Sequence, residues 1–267
     1  MEEQLKQVVK ERYGQIARRS GGCCGGSAQQ SCGAGAVANA IGYSAQDLAS
    51  TPDGANLGLG CGNPLGLAEI RPGDTVLDLG SGGGFDCFLA AARVGPAGKV
   101  IGIDMTEEMI ATARTNAARG AFANVEFRLG EIEKLPVADA SVDLVISNCV
   151  LNLAPDKAQA FREIARVLKP GGRIMISDIL LRGELPAEIK ASLDAYAACI
   201  GGAMEADEYL AAMAAAGLAE AEILSEVDAA ALLASSTDCG CSSPELQSVV
   251  ELLRGKVVSA TVRARKA

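Results

Sequence analysis

Cysteine is the residue type in this chain with the greatest capacity for chemistry, because there are 9 thiols in 267 residues and no histidine. Without histidine, a Ser-His-Asp triad, an HExxH zinc site and a histidine general base are all excluded. Cys61 lies between two glycines, Cys149 directly follows a β-branched run, and Cys199 precedes a Gly-Gly pair. Taken singly, each is better explained as a small buried hydrophobe, whereas together they could bind a soft metal or metalloid. The complete set is Cys23, Cys24, Cys32, Cys61, Cys87, Cys149, Cys199, Cys239 and Cys241.

Charge and composition exclude several other classes of protein. The 24 basic and 33 acidic residues give a net charge of −9, and aromatic residues make up only 3%. Such a chain repels phosphate backbones and offers few rings for base stacking. The opening MEEQLKQVVKERYG has no apolar signal segment, and the most apolar stretch, 209–223, is too short and too interrupted by acids to cross a membrane. We therefore expect a cytoplasmic protein with reduced thiols and no nucleic-acid or membrane partner, its oligomeric state remaining open.

A glycine-rich loop follows the first predicted strand of the central region. Asp78 and Leu79 lead into Gly80-Ser81-Gly82-Gly83-Gly84, and glycines let a backbone turn sharply and approach a ligand closely. The next strand ends at Asp104, near the spacing of about 20 residues expected for a carboxylate that binds ribose hydroxyls. A carboxylate at Asp78 disfavours a pyrophosphate and favours a ligand with an ammonium group, such as S-adenosylmethionine. The alternative is a glycine-rich turn that binds nothing.

Three regions position these residues. Residues 71–182 alternate between strand and helix patterns, which predicts an α/β core with a parallel sheet covered on both faces. Residues 1–70 form an N-terminal arm with a helix over 3–18 and a loop rich in Gly, Ser and Cys over 20–36, and residues 183–267 form a C-terminal region. We predict strands at 75–79, 100–104, 125–129, 142–147, 173–179, 221–227 and 257–265, and helices at 85–94, 107–119, 156–168, 187–199 and 206–216.

Five longer motifs resemble those of class I S-adenosylmethionine-dependent methyltransferases. They are VLDLGSGGG, GIDM, GEIEKLP, VDLVISN and LKPGG. The resemblance implies a Rossmann-like, seven-stranded, mostly parallel sheet closed by an antiparallel strand, which residues 257–265 would supply. It also implies a cofactor site, with Asp78, Gly80, Gly82 and Gly84 at the methionine end, Asp104 at the ribose, Met105, Ile132 and Glu131 at the adenine, and Asn148 as a further contact.

The contexts of three cysteines narrow the resemblance to the arsenite methyltransferases. They are GCGNP at Cys61, SNCVLNL at Cys149 and CIGGA at Cys199. The resemblance implies that Cys149 and Cys199 bind trivalent arsenic and that Cys61 is a third ligand. It places a fourth catalytic cysteine on Cys32.

The remaining cysteines are not assigned by the resemblance. Cys23 and Cys24 lie in the same predicted loop as Cys32 and could take its place, while Cys87 fits the apolar face of a core helix. Cys239 and Cys241 could capture arsenic for delivery, bind adventitious metal or have no role.

The chemistry suits a protein without histidine. Trivalent arsenic is soft and prefers thiolates, and its lone pair can attack a sulfonium methyl group without a general base. The sequence therefore predicts an enzyme of arsenic detoxification that methylates arsenite and methylarsenite, using S-adenosylmethionine and a thiol reductant and no permanently bound metal. One alternative is a class I methyltransferase with a small organic acceptor and incidental cysteines. The other is a metalloid- or zinc-sequestering protein on a vestigial methyltransferase fold.

Overall fold

The computed structural model describes residues 2–20, 29–190, 192–230 and 250–267. One mixed sheet runs through these residues. Its strands are β1 (Thr75–Leu79), β2 (Lys99–Asp104), β3 (Val125–Leu129), β4 (Val142–Asn148), β5 (Leu168–Leu181), β6 (Met204–Glu205), β7 (Leu218–Asp228) and β8 (Val257–Lys266). They are ordered β3-β2-β1-β4-β5-β8-β7, and β6 pairs with β5 outside this path.

The first five strands are parallel, and β8 lies antiparallel between β5 and β7. This arrangement confirms the predicted Rossmann-like, mostly parallel sheet with an antiparallel strand over residues 257–265. That strand lies inside the sheet between β5 and β7, and not at an edge. The sheet has eight strands rather than seven, because the two residues of β6 pair with Leu180 and Leu181, beyond the point where β4 ends.

Helices cover both faces of the sheet and its carboxyl edge. They are α1 (Glu2–Ser20), α2 (Gln29–Ala40), α3 (Ala45–Ala49), α4 (Phe85–Val94), α5 (Glu107–Arg119), α6 (Lys157–Val167), α7 (Ala187–Lys190), α8 (Leu193–Ala197) and α9 (Ala206–Ala215). Short 3-10 turns occupy Pro64–Gly66 and Leu151–Leu153.

Three local predictions were wrong in detail. The predicted loop over 20–36 contains the start of α2, while residues 21–28 lie outside the described residues. Ala38 of α2 packs in the core, and this tertiary packing overrides the low helix propensity of glycine. The predicted helix 187–199 is interrupted, with α7 and α8 as separate short helices. The predicted strand 173–179 begins five residues earlier, because the LKPGG turn is a bulge within β5.

The core consists of one apolar layer on each face of the sheet. On one face, α6 and α9 pack against the central strands, and the rings of Phe161 and Tyr209 meet edge to face with centroids 5.1 Å apart. On the other face, α4 packs through Phe88 against Phe122 and Phe127. Since parallel strands end at the same edge, the ends of β1, β2, β4 and β5 meet at one rim, where ligands bind in open α/β sheets. In the described part of the chain, no helix is long and apolar enough to span a membrane.

Substitution of Phe161 tests the packing of α6 and α9 against the sheet. Because its ring is fully buried against Tyr209, Phe161→Ala should lower the free energy of unfolding by about 3–5 kcal/mol. Urea denaturation followed by circular dichroism measures this change. Leu129→Ala is the matched control, since Leu129 is 47% exposed and its truncation should change stability by less than about 0.5 kcal/mol. Equal effects of the two substitutions would contradict this description of the core.

Candidate active site

The loop after β1 contains three glycines with φ in the left-handed region: 66° at Gly80, 51° at Gly82 and 93° at Gly84. A Cβ at Gly80 would collide with the Val150 side chain, and one at Gly84 would collide with two phenylalanine rings. A Cβ at Gly82 would meet nothing within 4 Å. Gly80 and Gly84 therefore serve packing as well as the turn, whereas Gly82 leaves the backbone open toward a ligand.

This loop opens into a cleft at the carboxyl rim of the sheet. Most of the predicted site residues line it: Asp78, Gly80, Gly82, Asp104, Met105, Ile132, Asn148 and Cys149. Gly84 and Glu131 are not among the lining residues. The structure thus brings the glycine loop, the acid at the end of β2 and one of the candidate arsenic ligands to the same cleft.

Asp104, the last residue of β2, ties the glycine loop to the start of α5. Its carboxylate accepts hydrogen bonds from the backbone N–H of Gly82 at 3.0 Å and of Thr106 at 2.9 Å. Burial raises the pKa of Asp104, while these backbone hydrogen bonds oppose the rise. The side chain is therefore fixed at the cleft wall, as a ligand for ribose hydroxyls must be.

Asp78 and Asp86 form a pair of buried carboxylates beside the cleft. The Tyr43 hydroxyl donates to Asp86 at 2.6 Å, and the Cys87 thiol donates to Asp78 at 3.1 Å. Burial and the nearby carboxylate of Asp86 raise the pKa of Asp78 well above its usual range, and burial also raises the pKa of Asp86. Their hydrogen-bond partners among the described residues are neutral. A ligand ammonium would supply the missing positive charge.

Sequence reasoning missed Tyr43 and Asp86. Both line the cleft, but Tyr43 comes from an arm segment without a motif. Asp86 did carry a signal, because an acid in the first turn of the helix after a glycine loop lies close to whatever that loop binds. Cys87 packs in the core as predicted, and it also donates to Asp78.

The three predicted arsenic ligands meet where β4 and β5 end. The Cys199 thiol donates to the Cys149 carbonyl at 2.9 Å, and the Cys61 thiol points to the Ser177 carbonyl at 3.6 Å. Hydrogen bonding with the thiols of Cys199 and Cys61, together with burial, raises the pKa of Cys149 well above its usual range. Burial raises the pKa of Cys61. These cysteines are free thiols.

Two of these cysteines have a strained backbone. Cys149 has φ 63° and Cys199 has φ 65°, in the left-handed region that non-glycine residues rarely adopt. The strain at Cys149 accompanies a 2.7 Å hydrogen bond from its N–H to the Ser177 carbonyl. Strain of this kind concentrates at functional sites.

Asp178 of β5 lies next to the thiols and was not predicted from the sequence. Its carboxylate is fully buried, and its nearest oxygen lies within 4.8 Å of the Cys61 and Cys149 sulfurs, which are themselves within 4.8 Å of each other. Burial raises the pKa of Asp178 to about 7. The one signal for this residue was an acid inside the apolar run RIMISDILL.

Helix α1 covers one side of the cleft. Lys6, Val9 and Tyr13 line it, and the Tyr13 hydroxyl donates to the Ala197 carbonyl at 3.4 Å. Lys6 also pairs with Glu131 at 2.7 Å, and this bond lowers the pKa of Glu131. The Glu131 carboxylate, predicted at the adenine edge, is thus held by the covering helix.

The positions of the five other candidate cysteines relative to this cluster are not part of the described structure. Cys32 falls in α2, whereas Cys23, Cys24, Cys239 and Cys241 lie outside the described residues.

Comparison with known proteins identifies the class to which this chain belongs. The family model for a methyltransferase domain matches residues 70–217. The arsenite methyltransferase of Halobacterium salinarum is 50% identical over 230 residues, which are 83% of this chain and 59% of that protein. The arsenite methyltransferase of Aquipseudomonas alcaligenes is 45% identical over 152 residues, which are 54% of this chain and 43% of that protein. The chain therefore spans about half the length of these curated relatives.

A solved structure is similar over most of the chain. The arsenic (III) S-adenosylmethionine methyltransferase from Chlamydomonas reinhardtii superposes with a TM-score of 0.61 and 31% identity, covering 87% of this chain and 74% of the other. Strand order, glycine loop and the acid at the end of β2 define a class I methyltransferase of the S-adenosylmethionine-dependent type. The chain belongs to the methyltransferase-domain family and, within it, to the group of the arsenite methyltransferases.

The acids of the cleft provide a test of the cofactor site. Asp78→Ala and Asp104→Ala should each weaken S-adenosylmethionine binding at least about tenfold, because one removes the partner of the ammonium and the other that of the ribose. Isothermal titration calorimetry measures the affinity. Asp156→Ala is the control, since this acid caps α6 at an exposed position. Unchanged affinity in both cleft variants would exclude this site.

Proposed function

We propose that this protein transfers methyl groups from S-adenosylmethionine to trivalent arsenic held by its own thiolates. One observation carries the proposal: the thiols of Cys61, Cys149 and Cys199 converge at the rim, and Cys149 itself lines the cleft of the glycine loop. Three thiolates suit trivalent arsenic better than an oxygen or nitrogen acceptor. The names of the relatives support this choice of substrate.

The chain's residues fit the proposed donor. The buried acids Asp78 and Asp86 would hold its ammonium group, Asp104 its ribose, and the apolar side chains of Met105 and Ile132 its adenine. When bound, S-adenosylmethionine supplies an electrophilic methyl group on a sulfonium sulfur. Gly82 leaves room for its close approach, because among the described residues other than its two chain neighbours no heavy atom lies within 4 Å of the position a Cβ would take.

Asn148 acts on the thiol side of the cleft as well as lining it. Its Oδ1 accepts from the Cys61 N–H at 3.1 Å and from the Gly62 N–H at 3.3 Å, and its Nδ2 donates to the Gly62 carbonyl at 2.8 Å. It therefore holds Cys61 beside Cys149. Fixing the third thiolate in this way orients the arsenic lone pair toward the cleft.

The proposed reaction needs no general base. The arsenic lone pair forms an As–C bond as the S–CH₃ bond breaks, and the electron pair of that bond stays on the departing sulfur. Arsenic is thereby oxidised from trivalent to pentavalent. An external thiolate then forms a disulfide with one arsenic-bound thiolate, which returns arsenic to the trivalent state with one As–S bond fewer. A thiol reductant is thus a co-substrate, and the reducing cytoplasm would supply it.

The direct experiment is to incubate the purified protein with arsenite, S-adenosylmethionine and a thiol, and to separate the arsenic species by chromatography with mass detection. We expect methylarsenite to form first and further methylated arsenic later. The biological role of this reaction would be arsenic detoxification. Omitting the thiol should limit the reaction to at most one methyl transfer per protein molecule, because reduction by the thiol follows the methyl transfer. If S-adenosylmethionine binds but no methylated arsenic forms, a small organic acceptor becomes the better reading.

Serine replacements test the roles of the ligands. Cys149→Ser and Cys199→Ser should abolish methylation of both arsenite and methylarsenite, because two thiolates are needed at each step. Cys61→Ser and Cys32→Ser should impair chiefly the first step, which needs a third thiolate. Methylarsenite already has an As–C bond in place of one As–S bond and needs only two thiolates. Each variant is assayed with the two substrates separately. Loss of both activities in Cys61→Ser, or retention of either in Cys149→Ser, would contradict this assignment.

The cysteines near the C terminus should be dispensable for chemistry. We expect Cys239→Ser/Cys241→Ser to keep most turnover at saturating arsenite, because neither cysteine belongs to a motif of the site. A reduced rate confined to low arsenite would show a role in capture. Complete loss of activity at saturation would place them in the catalytic machinery.

A further inference from the structure

We propose that Cys61, Cys149 and Asp178 bind one divalent cation of the zinc class, Zn²⁺ or Cd²⁺, and that this cation competes with arsenite for the site. The proposal concerns binding in the absence of any methyl donor. Binding of the cation therefore does not rest on the proposed function, whereas its competition with arsenite rests on the arsenic site proposed above.

The distances are those of a site that needs little rearrangement. The two sulfurs and one Asp178 oxygen lie within 4.8 Å of one another. In a tetrahedral zinc site, with Zn–S of about 2.3 Å and Zn–O of about 2.0–2.2 Å, ligand atoms stand about 3.5–3.8 Å apart. Each pair therefore has to close by about 1.3 Å at most. A rotation of the half-buried Cys61 side chain can shorten the two pairs to which Cys61 belongs.

The donor set distinguishes this site from the arsenic site. Two thiolates and a carboxylate are ligands that zinc accepts together, leaving the fourth position to water. A carboxylate is a hard donor and a poor ligand for soft trivalent arsenic, which instead uses the third thiolate of Cys199. The Cys199 sulfur is not a member of this group of mutually close donor atoms in the described residues. The two sites thus share Cys61 and Cys149 and differ in their third ligand.

Asp178 has the supporting contacts that a metal ligand needs. Its Oδ1 accepts from the Asn152 amide at 2.9 Å and from the Ile179 N–H at 3.0 Å, which fix the carboxylate plane. Its Oδ2 has only a long contact of 3.4 Å from the Tyr209 hydroxyl, so a lone pair remains free for a cation. Hydrogen-bonded carboxylates of this kind are typical of metal sites.

Electrostatics favours a cation at this place. Asp178 is fully buried. The positive charge of Lys157 lowers the pKa of Asp178, but the Lys157 ammonium donates to the Ala154 carbonyl and forms no ion pair with Asp178 in the described residues. Burial of an uncompensated carboxylate is costly, and it raises the pKa of Asp178 to about 7. A divalent cation would offset that cost and would stabilise the thiolate forms of both cysteines.

The first measurement is titration of Zn²⁺ into the reduced protein against a chromophoric chelator, with a phosphine as reductant and without S-adenosylmethionine. Asp178→Asn keeps the shape and the acceptor oxygen but removes the charge, and Cys149→Ser removes a sulfur. Each should weaken binding of one zinc equivalent at least about tenfold. Cys199→Ser and Cys239→Ser/Cys241→Ser are matched controls and should bind this equivalent within about threefold of the unsubstituted protein. Cd²⁺ should give the same order of variants.

Two results would overturn the proposal: Asp178→Asn with unchanged zinc affinity, or loss of the equivalent in Cys239→Ser/Cys241→Ser. A second measurement on the unsubstituted protein decides the matter if Asp178→Asn does not fold. Alkylation by iodoacetamide is followed at each cysteine by peptide mass spectrometry, with and without Zn²⁺. Zinc should slow alkylation of Cys61 and Cys149 at least about tenfold, and unchanged rates at both would refute the site. Neither measurement requires methylation activity, so its failure is distinguishable from failure of the proposed function.

Discussion

The amide of Asn148 is the interaction on which both halves of the site depend. On one side it binds the backbone of Cys61 and Gly62, and on the other it donates to the Tyr43 hydroxyl at 3.1 Å and to Asp86 at 3.3 Å. A Cβ on either glycine flanking Cys61 would come within 2.7 Å of Asn148 or Ser177. The Gly-Cys-Gly sequence is therefore a steric requirement for bringing the thiol against the ends of β4 and β5, and not only a flexible linker.

The strands and the glycine loop could be predicted because their signals are local. Buried parallel strands form short apolar runs, and a glycine loop between strand and helix has one common use. The thiol cluster was predicted in part, from the contexts of Cys61, Cys149 and Cys199. Asp178 could not be assigned, because an acid in a buried strand gains its meaning only from the neighbours that pairing of β5 with β4 places beside it. The helix Gln29–Ala40 was missed for a related reason, since packing and not propensity stabilises it.

The ionisable groups of the site share one property: they are buried with too little positive charge. Asp78, Asp86, Asp178 and the thiols of Cys61 and Cys149 all have raised pKa values, with burial among the causes. Each of these groups is costly to ionise where it lies, and a cationic or electrophilic ligand would offset that cost. The two ends of the cleft differ in kind, because the acids suit a hard ammonium and the sulfurs suit a soft metalloid. In the proposed reaction, this separation would give the methyl donor and the arsenic acceptor different places along one rim.

The thiol end of the cleft contains two residues with a strained backbone. Cys149 and Cys199 both adopt the left-handed conformation, which costs a non-glycine residue about 1–2 kcal/mol. Glycine would relieve the strain at either position, so packing alone does not explain a cysteine there. Cys149 lies between the end of β4 and the 3-10 turn Leu151–Leu153, and its side chain reaches both the cleft and the Cys199 thiol. A continuing strand would carry that side chain away from the rim. Ala121, Ala140 and Glu220 share this backbone conformation outside the site, so the conformation alone does not mark a functional residue. At Cys149 and Cys199 it coincides with two thiols that interact from separate elements of the fold.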